Sequence, residues 1–309
     1  MLRNLIVGLS MFFLFEVPAE TASINVPKSA VQGEVIRIPI TDPNEEEYLI
    51  QFSPVGWPQN NKIISVRAVK LGRGKQIVLI PVAPDEVAGI ALITIFTPAS
   101  GNTYPIEIKK TDFPVAKGTQ FIGELKGILK EKFGVEKVEL KRILAFSTPE
   151  RFWQEELRFT PPLKDMAVTS PFGQIRHKFS RKEGKWDANH FGVDLHADVG
   201  TPVYAAEKGT VRLATKFLAE GKIIIIDHGY GLLSLYFHLS NLQVYDGDFV
   251  KKGDKIALSG QSGASIGPHL HFEIRLNGIA VSPWEFMPKP PMFRQKAVSS
   301  PAQRKRGVK

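Results

Sequence analysis

From Ser23 to about Lys110, apolar and polar residues alternate in short runs: "EVIRIPI", "EYLIQF", "KIISVRAVKL", "KQIVLIPV", "AGIALITIF" and "TYPIEIKK". A period of two puts alternate side chains on one face of a strand, and Pro, Gly and Asn between the runs supply turns. Residues 20–110 are therefore expected to form an immunoglobulin-like β sandwich. In 111–160 the period lengthens. "GTQFIGELKGILKEKFGV" and "TPERFWQEELRF" carry apolar residues at helical spacing, so this stretch is expected to be a short connector with helical segments. One helix is expected to start at Ser147–Glu150, with Pro149 near its first position. From 161 to 288, Gly-punctuated runs such as "GTPVYAAEKGTV", "KIIIIDHGYGLLSLYFHL" and "HLHFEIRLNG" predict a second, compact antiparallel β domain. The fold class is mostly β.

Length supports this division, since 309 residues suffice for two domains. The first residues pair Arg3 with an apolar run from Leu5 to Phe15, followed by small residues around Val17 and Ala19. That pattern predicts a signal peptide over residues 1–19. The run is shorter than the roughly 20 apolar residues of a spanning helix, so export to the periplasm or cell surface is expected instead of anchoring. Without cysteine, disulfides, thiolate metal sites and cysteine nucleophiles are excluded. Of the net charge of +9, seven charges come from Lys289 to Lys309, a stretch without an acid. Residues 289–309 thus read as a basic disordered tail, suited to electrostatic contact with an anionic envelope polymer.

All seven histidines lie between His177 and His271. Three pieces concentrate the chemistry: "NHFGVD" with His190 and Asp194, "YFHLS" with His238, and "PHLHFE" with His269 and His271. Two imidazoles and one carboxylate with a position open to water suit a catalytic zinc. Four residues of extended strand would hold the His190 and Asp194 Cα atoms roughly 13 Å apart, so the segment must bend, and Gly192 is where it could. His271 would complete the set from a neighbouring strand, on the same face as His269 and Glu273.

The blocks "SPFG", "HFGVDLHADVGTPVYAAEKGTV", "IIIIDHGYGLLSLYFHLS" and "VKKGDKIALSGQSGASIGPHLHFEIRLNG" together resemble the lysostaphin-type, or LytM-like, zinc metallopeptidases, which cut peptide bonds in bacterial peptidoglycan. The likeness runs from about Thr169 to Trp284. It implies one Zn2+ held by His190, Asp194 and His271, with His238 and His269 as catalytic histidines that do not bind metal. It also implies peptidoglycan as the partner. Tyr204 and Arg176 are expected to line the substrate groove. Departures from the family pattern are His196, Asp198, Phe237 and Ile266. His196 is expected to be partly buried and locally hydrogen-bonded, His228 to be structural, His177 to lie in a solvated loop, and Glu273 to have an ordinary partner such as an arginine.

Two other readings compete with a peptidase. "VYDGDFVKKGDKIALSG" has the turn pattern of biotinyl or lipoyl carrier domains, but no lysine sits in a modifiable hairpin tip. A wall-binding protein with structural zinc would need closed coordination and would leave His238 and His269 without a purpose.

Overall fold

A computed structural model describes residues 22–56, 63–97, 100–123 and 125–290. The signal peptide expected at 1–19 and all but the start of the basic tail lie outside the described residues.

The amino-terminal alternation folds into two facing sheets. One has four strands, in the order Ser23–Ile24, Val35–Thr41, Lys75–Pro81 and Val69–Gly72. The other has five, in the order Ser29–Val31, Gly101–Lys109, Gly89–Phe96, Leu49–Ser53 and Ile64–Arg67. Ile36, Ile38 and Ile40 point inward from the first sheet against Ile50, Phe52, Ile93, Ile106 and Ile108 of the second. Each such side chain contributes about 2 kcal/mol of apolar burial, and it is the period of two that aims them all at one core.

The outer face of the four-stranded sheet is buried as well. Val35, Val69 and Leu79 join a second core with Trp153, Phe172, Leu195 and Phe272 of the carboxyl-terminal lobe. Polar contacts pin the same seam: Arg37 Nη1 donates to Glu285 Oε2 at 2.7 Å, Ser282 N to Gly33 O at 2.7 Å, and Arg151 Nη2 to Leu71 O at 3.1 Å. At Gly33 a Cβ would lie 2.6 Å from the Phe172 ring, so any side chain there would push the lobes apart.

The carboxyl-terminal lobe is built on an eight-stranded antiparallel sheet. Val168–Ser170, Val193–His196, His269–Leu276, Leu232–Leu239, Gly221–Asp227, Gly209–Phe217 and Phe249–Val250 follow one another, and Ile279–Val281 pairs with His269–Leu276. Two three-stranded sheets flank it. In one of them Val115–Phe121 runs parallel to Ile175–Ser180, which pairs with Gly184–Asn189.

The connector differs from expectation in two places. Val115–Phe121 is a strand, because its residues find a partner edge in Ile175–Ser180 and Gly118, at φ 79°, sits where a helix is unfavourable. The helix expected at Ser147–Glu150 does not form. Thr148 Oγ1 instead donates to Asp227, Tyr230 N donates to Thr148 O and Phe152 N to His228 O, so tertiary partners satisfy this backbone before a helix could. The single α-helix among the described residues is Ile128–Leu144. Its face carrying Glu136, Leu140 and Ile143 lies on Leu213, Ile223, Leu233, Leu235 and Phe237. The helix therefore covers the same face of the large sheet from which the histidines project, whereas the sandwich joins the opposite face.

Candidate metal centre

Register brings the candidate ligands together. Val193–His196 pairs with His269–Leu276 so that Asp194 lies opposite His271 and His196 opposite His269. His190 precedes that strand, and the chain bends at Gly192 to return it to the same spot. A Cβ on Gly192 would lie 2.5 Å from the Phe272 carbonyl oxygen and 2.8 Å from His271 Nε2. Glycine is required there for close approach, with no left-handed backbone involved.

His190 Nε2, Asp194 Oδ1 and His271 Nδ1 converge. They are separated by 3.1 Å (His190 to Asp194), 2.8 Å (His271 to Asp194) and 3.0 Å (His190 to His271). The far atom of each ligand is engaged by another group. His190 Nδ1 donates to the Pro171 carbonyl at 2.9 Å, His271 Nε2 donates to Glu273 Oε1 at 2.9 Å, and Asp194 Oδ2 accepts from Arg176 Nη2 at 2.8 Å. A carbonyl or carboxylate oxygen can only accept, so the proton of each ring sits on its outer nitrogen. With both rings neutral, two imidazole lone pairs and a carboxylate oxygen thus face one another within contact distance. Three acceptors so placed repel unless a cation lies among them, and two nitrogens with one oxygen are a donor set that zinc accepts.

The electrostatics express the same demand. Burial works to raise the Asp194 carboxyl, but where protons take the cation's place between the rings and the carboxylate, hydrogen bonds with His190 and His271 outweigh it and hold it well below the usual carboxylate range. Burial works to lower His271, yet Asp194 and Glu273 on either side of the ring push it up to about 9. For Glu273 burial also opposes ionisation, and the Arg275 charge with the His271 hydrogen bond brings it down to about 2. Burial dominates at His190 and lowers it, which keeps that imidazole neutral.

His238 and His269 stand beside this cluster with ring centroids 4.8 Å apart, and His269 Nε2 is 3.6 Å from Asp194 Oδ1. His269 Nδ1 donates to Gly267 O and His238 Nδ1 to Ser262 O, each at 2.8 Å, so the neutral form of each ring carries its lone pair on Nε2. Burial lowers His238 to about 4, which keeps it neutral at pH 7. A bulge aims this ring. Between Tyr236 and Leu239 the strand carries one more residue than its partner between Lys222 and Ile224, and His238 absorbs it at φ 62°. A left-handed residue that is not glycine costs on the order of 1–3 kcal/mol, a strain typical of functional positions.

Arg176, expected in the groove, donates to Asp194 and also to Ser170 Oγ at 2.9 Å. Tyr204 is half-buried on the strand Pro202–Tyr204, with no described hydrogen bond or ring contact to the histidines. Glu273 has the arginine partner expected of it, Arg275, but it also holds His271, a role sequence reasoning did not assign. The signal for that role was the shared strand face. His196 is exposed, contrary to the expectation of partial burial, because its strand ends at the open side of the sheet. His228 is buried, donating to Lys208 O and meeting Ser234 Oγ, each at 2.8 Å. His177 lies on a strand instead of a loop, its Nδ1 2.6 Å from Asp187 Oδ1.

Residues 188–283 match the model of peptidase family M23. Over 125 residues the chain is 46% identical to an uncharacterized metalloprotease of Haemophilus influenzae, a match covering 40% of this chain and 26% of that protein. Over 95 residues it is 38% identical to the peptidoglycan DD-endopeptidase ShyA of Vibrio cholerae, covering 31% of this chain and 22% of the relative. The chain thus spans about a quarter of the length of these relatives. A putative peptidase M23 from Pseudomonas aeruginosa, known from its crystal structure, superposes with a TM-score of 0.61 at 22% identity, over 83% of this chain and 94% of that one. That match is too long for one lobe alone, so the two-lobed fold is shared. Within the carboxyl-terminal lobe, the segment that matches peptidase family M23 holds His190, Asp194 and His271 together with His238 and His269.

Proposed function

We propose that the chain is a zinc-dependent endopeptidase that hydrolyses peptide bonds in the cross-links of bacterial peptidoglycan, after export to the periplasm or cell surface by a signal peptide over residues 1–19. The observation that carries this reading is the convergence of His190 Nε2, Asp194 Oδ1 and His271 Nδ1, with two further imidazoles beside them. The peptidoglycan DD-endopeptidases among the relatives supply the substrate class. Seven basic residues from Lys289 onward suit contact with an anionic envelope polymer.

Zinc bound there would supply Lewis acidity toward a water and toward the scissile carbonyl. His190, Asp194 and His271 would hold it, and their partners Pro171, Arg176 and Glu273 fix the direction of each donor atom. His238 and His269 move protons. Each offers an Nε2 acceptor, so the pair takes the proton released by the attacking water and returns it to the leaving amine. A protonated ring of the pair can also donate to the oxyanion as the carbonyl becomes tetrahedral. No side-chain nucleophile is needed.

The test is incubation of the purified, zinc-loaded protein with peptidoglycan, with products read by mass spectrometry. New amino termini on cross-link peptides are expected, and their absence overturns the reading.

A further inference from the structure

The helix Ile128–Leu144 buries one residue, and that residue is an acid. Glu136 is 7% exposed, whereas the apolar Leu140 and Ile143 on the same helix face are only half-buried. Its Oε2 accepts from Leu218 N at 2.8 Å, while Oε1 has no hydrogen bond and only Lys132 Nζ nearby, at 3.9 Å. Burying a carboxyl group with one oxygen left without a hydrogen bond costs stability, and an apolar side chain of similar size would pack there without that cost. Support of the fold alone therefore does not explain the glutamate.

What Glu136 holds is a loop that leads to the metal centre. Residues 218–220 join Gly209–Phe217 to Gly221–Asp227. Within them, Ala219 O accepts from Ala264 N at 2.8 Å and Glu220 O accepts from His238 N at 2.9 Å. The second of these bonds lies at the bulge where His238 takes φ 62°. The first ties the loop to residues 260–267, whose Ser262 and Gly267 carbonyls accept from Nδ1 of His238 and of His269. A Cβ on Gly263 would lie 2.5 Å from Ala219 O, so the two loops are too close to slide past each other. The helix also rests on the apolar cluster that contains Phe237, the residue before His238, whose ring stacks on His271 at 5.0 Å. It precedes the family-matched segment 188–283, so this support reaches the site from outside that segment.

We propose that Glu136 is a positioning residue for His238. It fixes loop 218–220, which fixes the His238 backbone and, through residues 260–267, the carbonyls that aim the His238 and His269 rings. Glu136 makes no contact with His190, Asp194 or His271, so it governs turnover without governing zinc. The effect on hydrolysis rests on the endopeptidase reading, and the effect on the His238 amide does not.

The zinc-loaded full chain tests this in two arms: kinetics on peptidoglycan peptides, and hydrogen exchange at the His238 amide read by nuclear magnetic resonance. Glu136→Leu is expected to keep one zinc per chain and to melt no lower than wild type, because it removes a buried polar group. Its kcat should nevertheless fall by about 10–100-fold at unchanged KM, the scale of a small misplacement. Its His238 amide should exchange at least about 10-fold faster. Glu136→Gln keeps an acceptor for Leu218 N and should restore most of both, and Glu136→Ala is read the same way should leucine not fit. Leu140→Ala, on the same helix face, is the control: a lower melting temperature with kcat unchanged. An unchanged His238 amide in Glu136→Leu and Glu136→Ala overturns the proposal whatever kcat does. So does an unchanged kcat in those variants when wild type hydrolyses, or an equal loss of turnover in Leu140→Ala. If wild type itself does not hydrolyse, the endopeptidase reading fails and the exchange arm alone decides the role of Glu136.

Discussion

The strand His269–Leu276 presents two surfaces that share a backbone and almost nothing else. Leu270, Phe272, Ile274 and Leu276 enter the core beneath the sheet, where the amino-terminal sandwich adds Val35 and Leu79. His269, His271, Glu273 and Arg275 point the other way, and the last three form a chain of charged hydrogen bonds. One side is held by non-directional apolar burial and tolerates changes of shape at moderate cost. The other is held by directional contacts in which each member fixes the next, so its failures should be losses of function before they are losses of fold.

The largest effects should fall on the polar side. His271→Ala is expected to abolish bound zinc, measured by atomic absorption, and to lower hydrolysis of peptidoglycan peptides by at least about a thousandfold while the far-ultraviolet circular dichroism stays native. His269→Ala should keep zinc and lose roughly 10²–10⁴ in turnover, the usual worth of a positioned acid or base. If both variants lose metal alike, the division between ligand and proton carrier is wrong.

Phe272→Ala reverses the pattern. Its cavity should cost about 3–5 kcal/mol in urea unfolding, with zinc stoichiometry intact in the protein that remains folded. Smaller again is Glu273→Gln, which keeps the shape beside His271 but removes the charge. Zinc affinity in competition with a chelator should fall by about 10–100-fold with little change in melting temperature. An unchanged affinity would remove Glu273 from the site.

The last test probes the polar inclusion on the apolar side, where His228 meets Ser234 and Ser234 donates to Tyr236. Burial lowers His228 from 6.5 to about 4. The unfolded chain therefore binds more protons between those values. Stability from this group is present above about pH 6.5 and is lost as pH falls toward 4, on the order of 2 kcal/mol by pH 5. His228→Gln should flatten that part of the urea-stability profile, and an unchanged slope would assign the acid sensitivity elsewhere.

The division between these faces was legible in the sequence. Alternation in "HLHFEIRL" separates four apolar from four polar side chains, and the resemblance of the surrounding blocks names the ligands. Less legible were contacts that depend on the register of distant segments. Arg176 reads as a groove residue until the pairing of Ile175–Ser180 with Gly184–Asn189 carries it to Asp194, 18 positions away. Thr148 and Pro149 have the local chemistry of a helix start, but Asp227 and Tyr230 capture Thr148 first. Val115–Phe121 is extended only because a parallel edge is waiting for it. In each case the local preference is worth a few tenths of a kcal/mol to about one, and a single tertiary contact exceeds it.

The anchoring of Asp194 by Arg176, and of His190 by the Pro171 carbonyl, bears on how this catalytic unit could be moved between proteins. All three ligands lie inside the family-matched segment 188–283, but two of the three groups that steer them lie before it. A graft cut at that boundary would inherit the ligands and lose their tethers. The smallest transplantable piece therefore begins upstream of Ser170, with the hairpin that carries Arg176.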